Sequence, residues 1–143
     1  MYTTVLSHKY NMLECLVLGD SIAVGTLKAR TECIGYVQSG INSHQWVNKF
    51  MKDSPYIANT VIISLGSNDY KEIKTESELR TIRELTKANH VYWILPANKK
   101  DVANAVFAVA NYYHDHVVRI ADLSKDGVHP TAKGYKMIAE QTK

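Results

Sequence analysis

Thr60-Val-Ile-Ile-Ser-Leu65 runs without a break into Gly66-Ser-Asn-Asp69. Thr60, Val61, Ile62 and Ile63 are β-branched and the run carries no charge, which predicts a strand buried on both faces. The residues after it are turn formers, so the strand delivers a serine, an asparagine and an aspartate to one edge of a sheet. Four further stretches repeat the theme: Cys15-Leu-Val-Leu18, Cys33-Ile-Gly-Tyr-Val37, Val91-Tyr-Trp-Ile-Leu95 and Val117-Val-Arg-Ile-Ala121.

The segments between these runs have helical periodicity. One helix is predicted from Ile22 to Arg30. A second carries Trp46, Val47, Phe50 and Met51 on one face, with Asn42 or Ser43 as N-cap. Thr75-x-x-Glu78 reads as a capping box ahead of Leu79, Ile82 and Leu85. Asp101 reads as the cap of a helix whose Val102, Val106, Phe107 and Ala110 face inward. The last helix is predicted to begin at Pro130 and to bury Tyr135, Ile138 and Ala139. Apolar strands alternating with helices imply a parallel sheet covered on both faces, a three-layer α/β/α domain of the doubly wound kind.

The composition agrees. The chain has 143 residues, 45% hydrophobic and 22% charged, the usage of one globular domain spanning residues 1–143 and not of a disordered chain or coiled coil. A chain of this length buries about two thirds of its unfolded surface, so the core requires no metal or disulfide scaffold. Seventeen basic against fourteen acidic residues leave a net charge of +3, too mild and too dispersed to point to nucleic acid. No run approaches a membrane span. Met1 to Tyr10 lacks a basic region followed by an apolar one, so it does not read as a secretory leader. Cys15 and Cys33 each sit in an apolar run, and two cysteines make no disulfide framework or metal spacing. They read as buried thiols, so a reducing compartment is expected and, with no leader pattern, the cytoplasm, export or association with a virion remaining open alternatives.

In a doubly wound sheet, ligands bind beyond the carboxyl ends of the strands. There the sequence places Gly19-Asp20-Ser21 after the first strand and Gly40 after the second. Gly66-Ser67-Asn68-Asp69 follows the third, Asn98-Lys99-Lys100 the fourth, and Asp126-Gly127-Val128-His129-Pro130 the fifth. Taken singly, each has an ordinary structural explanation: Asp20 or Ser21 as a helix cap, Gly40 and Asn68 as turn residues, Asp126-Gly127 as a turn before a helix. Together they are the parts of an acyl-transfer site. A serine hydroxyl attacks only if a base takes its proton. Asp126 and His129, three apart, could supply an oriented imidazole. The backbone N–H groups of Ser21 and Gly40 and the side chain of Asn68 could hold an oxyanion.

These blocks resemble the SGNH hydrolases, the GDSL-type esterases and lipases. Gly19-Asp20-Ser21 is similar to the family's nucleophile block, Gly40 to its glycine block, Gly66-Ser67-Asn68-Asp69 to its asparagine block and Asp126-x-x-His129-Pro130 to its closing block. All four occur in order between residues 19 and 130. The resemblance implies a flavodoxin-like five-stranded sheet in the order 2-1-3-4-5. It also implies Ser21 as nucleophile, His129 as general acid and base, and Asp126 as its orienting partner, with Ser21, Gly40 and Asn68 as the oxyanion hole. Ile22 stands where the name-giving motif has leucine, a conservative change. Short loops predict an open site suited to a small acyl group, such as acetyl on a sugar, rather than a long lipid chain.

The expected activity is therefore a serine esterase working through an acyl-enzyme, without metal or cofactor, on a small or carbohydrate ester. Loss of Asn68 would lower its turnover about 10²–10³-fold. Tyr70 and Asn98 are the candidate substrate contacts. Lys99 and Lys100 lie on the same edge and would suit an anionic or sugar substrate. Asp20 and Asp69 are expected to hold structure by hydrogen bonds. Two other classes remain in view. One is a catalytically silent glycan- or protein-binding module of the same fold. The other is a nucleotide-binding α/β protein, against which stands the lack of a phosphate-loop lysine or a G-x-G-x-x-G.

Overall fold

A computed structural model describes residues 13–143; the segment Met1 to Tyr10, read above for a leader, lies outside them. Five strands form one parallel sheet: β1 (Leu13–Gly19), β2 (Ile34–Val37), β3 (Tyr56–Ser64), β4 (Thr86–Ile94) and β5 (His116–Val118). Their order is β2-β1-β3-β4-β5, the flavodoxin-like order implied by the resemblance. The helices are α1 (Ser21–Ala29), α2 (Ser43–Phe50), α3 (Thr75–Glu84), α4 (Lys100–Tyr112) and α5 (Ala132–Gln141), with a 3₁₀ turn at Met51–Asp53.

Alternation along β1 shows how the layers form. Leu16 and Leu18 face one core with Trp46 of α2, Leu79 and Ile82 of α3 and Val106 and Val109 of α4. Cys15 and Val17 face the other, with Ile22 and Ala23 of α1 and Ile138 of α5. Successive strand residues point to opposite faces, so an unbroken apolar run is what a sheet buried on both sides requires. Trp46 is fully buried, and its indole N–H donates to the Tyr36 carbonyl at 3.0 Å. Arg30, at the end of α1, donates to the main-chain carbonyl of Thr142 at 2.5 Å and so ties down the end of α5.

Several local expectations are corrected by tertiary partners. Thr75 is the first residue of α3, not its cap. Lys74 holds the cap position without a side-chain bond, because the Thr75 hydroxyl donates to Asp69 at 2.6 Å. Glu78, the other half of the predicted capping box, instead accepts from His44 at 2.6 Å. Asp101 likewise lies inside the first turn of α4, behind Lys99 at the cap, where its charge favours the helix dipole without bonding an end N–H. Phe107 is not inward: it is 47% exposed, while Val106, Val109 and Ala110 are buried. Its position is one step around the helix from the buried stripe. The fifth strand stops at Val118, and Pro130 precedes α5 rather than starting it. Pro130 instead makes an isolated antiparallel bridge with Leu123, and Thr131 caps the helix by accepting from the Gly134 N–H at 3.0 Å. Asn42 is the cap of α2, in a full capping box with Gln45.

The largest correction concerns the cysteines. Cys15 and Cys33 form a disulfide, their Cα atoms 4.5 Å apart. β2 pairs with β1 in a register that sets Ile34 beside Leu16, so the residue before each falls at bonding distance. This overturns the reading of two buried thiols and removes the ground for a reducing compartment. No described helix is long and apolar enough to cross a membrane.

Candidate active site

The site begins where β1 ends. Gly19 has φ +147°, and a Cβ there would lie 1.9 Å from the main-chain oxygen of Ser64. Only glycine lets β1 run this close beside β3 at the point where the chain turns. Asp20 follows, completely buried, and caps α1 by accepting from the Ile22 N–H at 3.0 Å. Its other oxygen accepts from the Ser67 hydroxyl at 2.8 Å. Ser21 is thereby fixed as the first residue of α1, at the positive end of the helix dipole.

The Ser21 hydroxyl meets His129 Nε2 at 2.7 Å across 108 residues of chain. His129 Nδ1 meets Asp126 Oδ2 at 2.7 Å. The carboxylate can only accept, so the proton is assigned to Nδ1, which leaves Nε2 free to accept from Ser21. Asp126 is exposed, yet its pKa is held well below the usual carboxylate range. The largest cause is the His129 ring, followed by the backbone N–H groups of His129 and Val128 and the Ser124 hydroxyl. Asp126 Oδ1 accepts from these at 2.9, 2.8 and 2.7 Å. The loop from Arg119 to Thr131 is closed by Ser124 N–H donating to the His129 carbonyl at 2.8 Å. A carboxylate so committed stays ionised at neutral pH and holds the imidazole in one orientation.

Gly40 has φ +80°, and a Cβ there would meet nothing within 4 Å. Backbone conformation, not space, calls for glycine at this turn. Among the described residues, neither the Ser21 nor the Gly40 N–H is spent on another group. Asn68 donates from Nδ2 to the Ile41 carbonyl at 3.0 Å, which locks the asparagine loop to the Gly40 loop and leaves its second amide proton available. Asp69, 1% exposed, accepts from the Ser43 N–H at 2.8 Å and from the Ser43 hydroxyl at 2.6 Å, besides Thr75. One carboxylate therefore pins the starts of α2 and α3 to the loop that carries Asn68. As expected, Asp20 and Asp69 are hydrogen-bond anchors. Sequence reasoning missed their partners Ser43, Ser67 and Thr75, which lie remote in sequence or on other elements. Ser124, two residues before Asp126, matches a local turn pattern and was within reach.

Asn98 donates to the Ser67 carbonyl at 3.2 Å and so stands beside the asparagine loop. Tyr70 is 58% exposed and lines a groove between α3 and α4 that begins at the asparagine loop. A serine hydroxyl bonded to an oriented imidazole can give up its proton as it attacks.

Burial raises the pKa of Asp20 to about 6, against the hydrogen bonds from Ser67 and the helix N–H groups that lower it. The folded protein thus binds a proton that the unfolded chain, with a carboxyl near its ordinary value, has released. Stability falls as pH rises through the window from about 4 to 6, by about 3 kcal/mol for two units of pKa. Asp20→Asn keeps an acceptor for the Ile22 N–H, and the Ser67 hydroxyl can turn to accept. Urea unfolding at pH 4.5 and 7 should show most of this loss in the wild type and little in the variant.

No family profile and no curated protein sequence matches the chain. Solved structures do match. The C-terminal catalytic domain of peptidoglycan O-acetyltransferase A from Streptococcus pneumoniae, solved with a methylsulfonyl adduct, superposes with a TM-score of 0.59 at 17% identity, over 90% of this chain and 89% of that one. A protein described as a GDSL-like lipase from Bacteroides uniformis gives 0.63 at 13% identity, over 93% and 95%. An acetyl xylan esterase from Butyrivibrio proteoclasticus gives 0.53 at 11% identity, over 90% and 61%. The chain has the fold of the SGNH hydrolases.

Proposed function

We propose that the protein is a serine ester hydrolase that removes a small acyl group, acetyl above all, from a carbohydrate or other small ester. The observation that carries this reading is the unbroken chain of hydrogen bonds from Ser21 through His129 to Asp126, standing on a fold shared with enzymes of acyl chemistry.

His129 Nε2 accepts the Ser21 proton as Oγ attacks the ester carbonyl. The oxyanion is received by the Ser21 and Gly40 N–H groups and by the free amide proton of Asn68. Collapse of the tetrahedral species breaks the bond to the alcohol oxygen, which leaves with the proton now held by His129. Water then repeats the sequence on the acyl-serine, giving up its proton to His129 and releasing the acid. Asp126 remains ionised throughout and steadies the imidazolium.

The test is covalent. A fluorophosphonate should modify the protein once, on the peptide containing Ser21, and should abolish hydrolysis of p-nitrophenyl acetate in proportion to labelling. A protein that neither hydrolyses the acetate nor takes the label would overturn the reading and favour a binding module of the same fold.

A further inference from the structure

A cavity of about 1260 Å³ lies between α3 and α4 and reaches the loops of the site at Asp69, next to Asn68, and at Lys99, next to Asn98. That exceeds the roughly 300–1,000 Å³ of a pocket for one small molecule, so it has room for more than one sugar ring. Its upper end is built from Tyr70 and Lys71, two and three residues beyond Asn68, and from Lys99 and Lys100, next to Asn98. Apolar surface comes from Tyr70, Ile73, Val102 and Ala105. An aromatic ring exposed beside apolar walls is suited to stack on the C–H faces of a pyranose.

The charges here are placed against local preference. Lys74 and Lys99 occupy the cap positions of α3 and α4, and neither offers a side-chain cap. Lys100 is the next residue of α4, and Lys71 stands on the same rim. Cations at the positive ends of two helices repel the dipoles, and such breaches of a local rule concentrate at functional places. The carboxylates around the cavity do not cancel them. Asp69 is buried among its own donors, and Glu76 is paired with Arg80 at 3.0 Å. Glu84, at the far end, accepts from the Tyr113 hydroxyl at 2.5 Å. Asp101 alone faces the lysines from the first turn of α4. Lys99 is held toward the site by donating to the Asp69 carbonyl.

We propose that this groove seats the anionic part of the substrate, a carboxylate-bearing oligosaccharide whose acetyl ester reaches Ser21. The inference rests on the esterase reading and names the substrate class within it.

The test uses binding separately from turnover. An oligogalacturonate, which lacks acetyl groups, is titrated into the full-length protein by calorimetry, with a neutral xylo-oligosaccharide of equal length alongside. The acidic oligomer should bind, and should weaken as salt rises. Lys71→Gln/Lys100→Gln should weaken it about tenfold, the loss of two exposed charge contacts, with its circular dichroism unchanged. Equal binding of acidic and neutral oligomers overturns the proposal, as does an unaltered affinity in the variant or tighter binding of polyphosphate than of the oligogalacturonate. If p-nitrophenyl acetate is hydrolysed while the acidic oligomer fails to bind, the groove assignment falls and the esterase reading stands. If the acidic oligomer binds but no Ser21-dependent ester turnover is found, the esterase reading falls, and with it the assignment of the groove to a substrate.

Discussion

Ser21→Ala is expected to lower turnover of p-nitrophenyl acetate by about 10⁴–10⁶-fold, and His129→Ala by a similar factor. The reasoning is that neither residue works without the other. With Ser21 gone, the imidazole has no oxygen to activate at 2.7 Å; with His129 gone, the hydroxyl keeps its proton and is a poor nucleophile. The double variant should therefore be no worse than either single one, because the second change removes nothing still in use. Both substitutions shorten partly exposed side chains at the sheet edge, so circular dichroism and the unfolding midpoint should stay close to wild type. A Ser21→Ala protein that keeps a tenth of its turnover would exclude Ser21 as nucleophile. Losses that add in the double variant would mean that two separate routes to ester cleavage exist.

The second large effect is on stability. Removing the Cys15–Cys33 bond, by Cys15→Ser/Cys33→Ser or by reduction, should cost about 3 kcal/mol, as for a closed loop of this length; the bonded residues are 18 apart. The damage should be uneven. β2 is an edge strand, held to the sheet by β1 alone, and it leads directly into the turn that presents Gly40. Urea unfolding of the oxidised and reduced protein measures the global loss. Hydrogen exchange should show the earliest opening in β2 and the turn after it. Equal midpoints for the two forms would show that the bond contributes nothing to the fold. Intact mass after alkylation gives the oxidation state as the protein is isolated. A bonded form points to maturation in an oxidising compartment, against the reducing one expected from reading Cys15 and Cys33 as buried thiols.

Much of this was legible in the sequence, for identifiable reasons. Strands buried on both faces cannot hide: Thr60 to Leu65 reads as strand because every position must be apolar or uncharged. The candidate site was legible because the fold gathers strand ends: reading the residues that follow each strand singles out Ser21, Asp126 and His129, which the structure joins by hydrogen bonds. What escaped depends on neighbours remote in sequence. Thr75 and Glu78 have the spacing of a capping box, but Asp69 and His44 offered better partners. The disulfide needed both the adjacency of β1 and β2 and their register, a one-residue matter that apolar runs do not specify. Lys99 and Lys100 could be placed on the right edge. Lys71 and Lys74 could not, because the course of the loop from Leu65 to Lys74 is set by Asp69 reaching across to α2.

The separation of Ser21 from His129 also orders events in time. The ribosome emits Ser21, the proposed nucleophile, first and His129, its proposed base, 108 residues later, roughly 5–20 s at the usual pace of ~5–20 residues per second. All five strands have been made by Val118, while the imidazole is still to come. A chain halted anywhere in that interval carries Ser21 without its imidazole, so the proposed ester cleavage has to wait until His129 has been made.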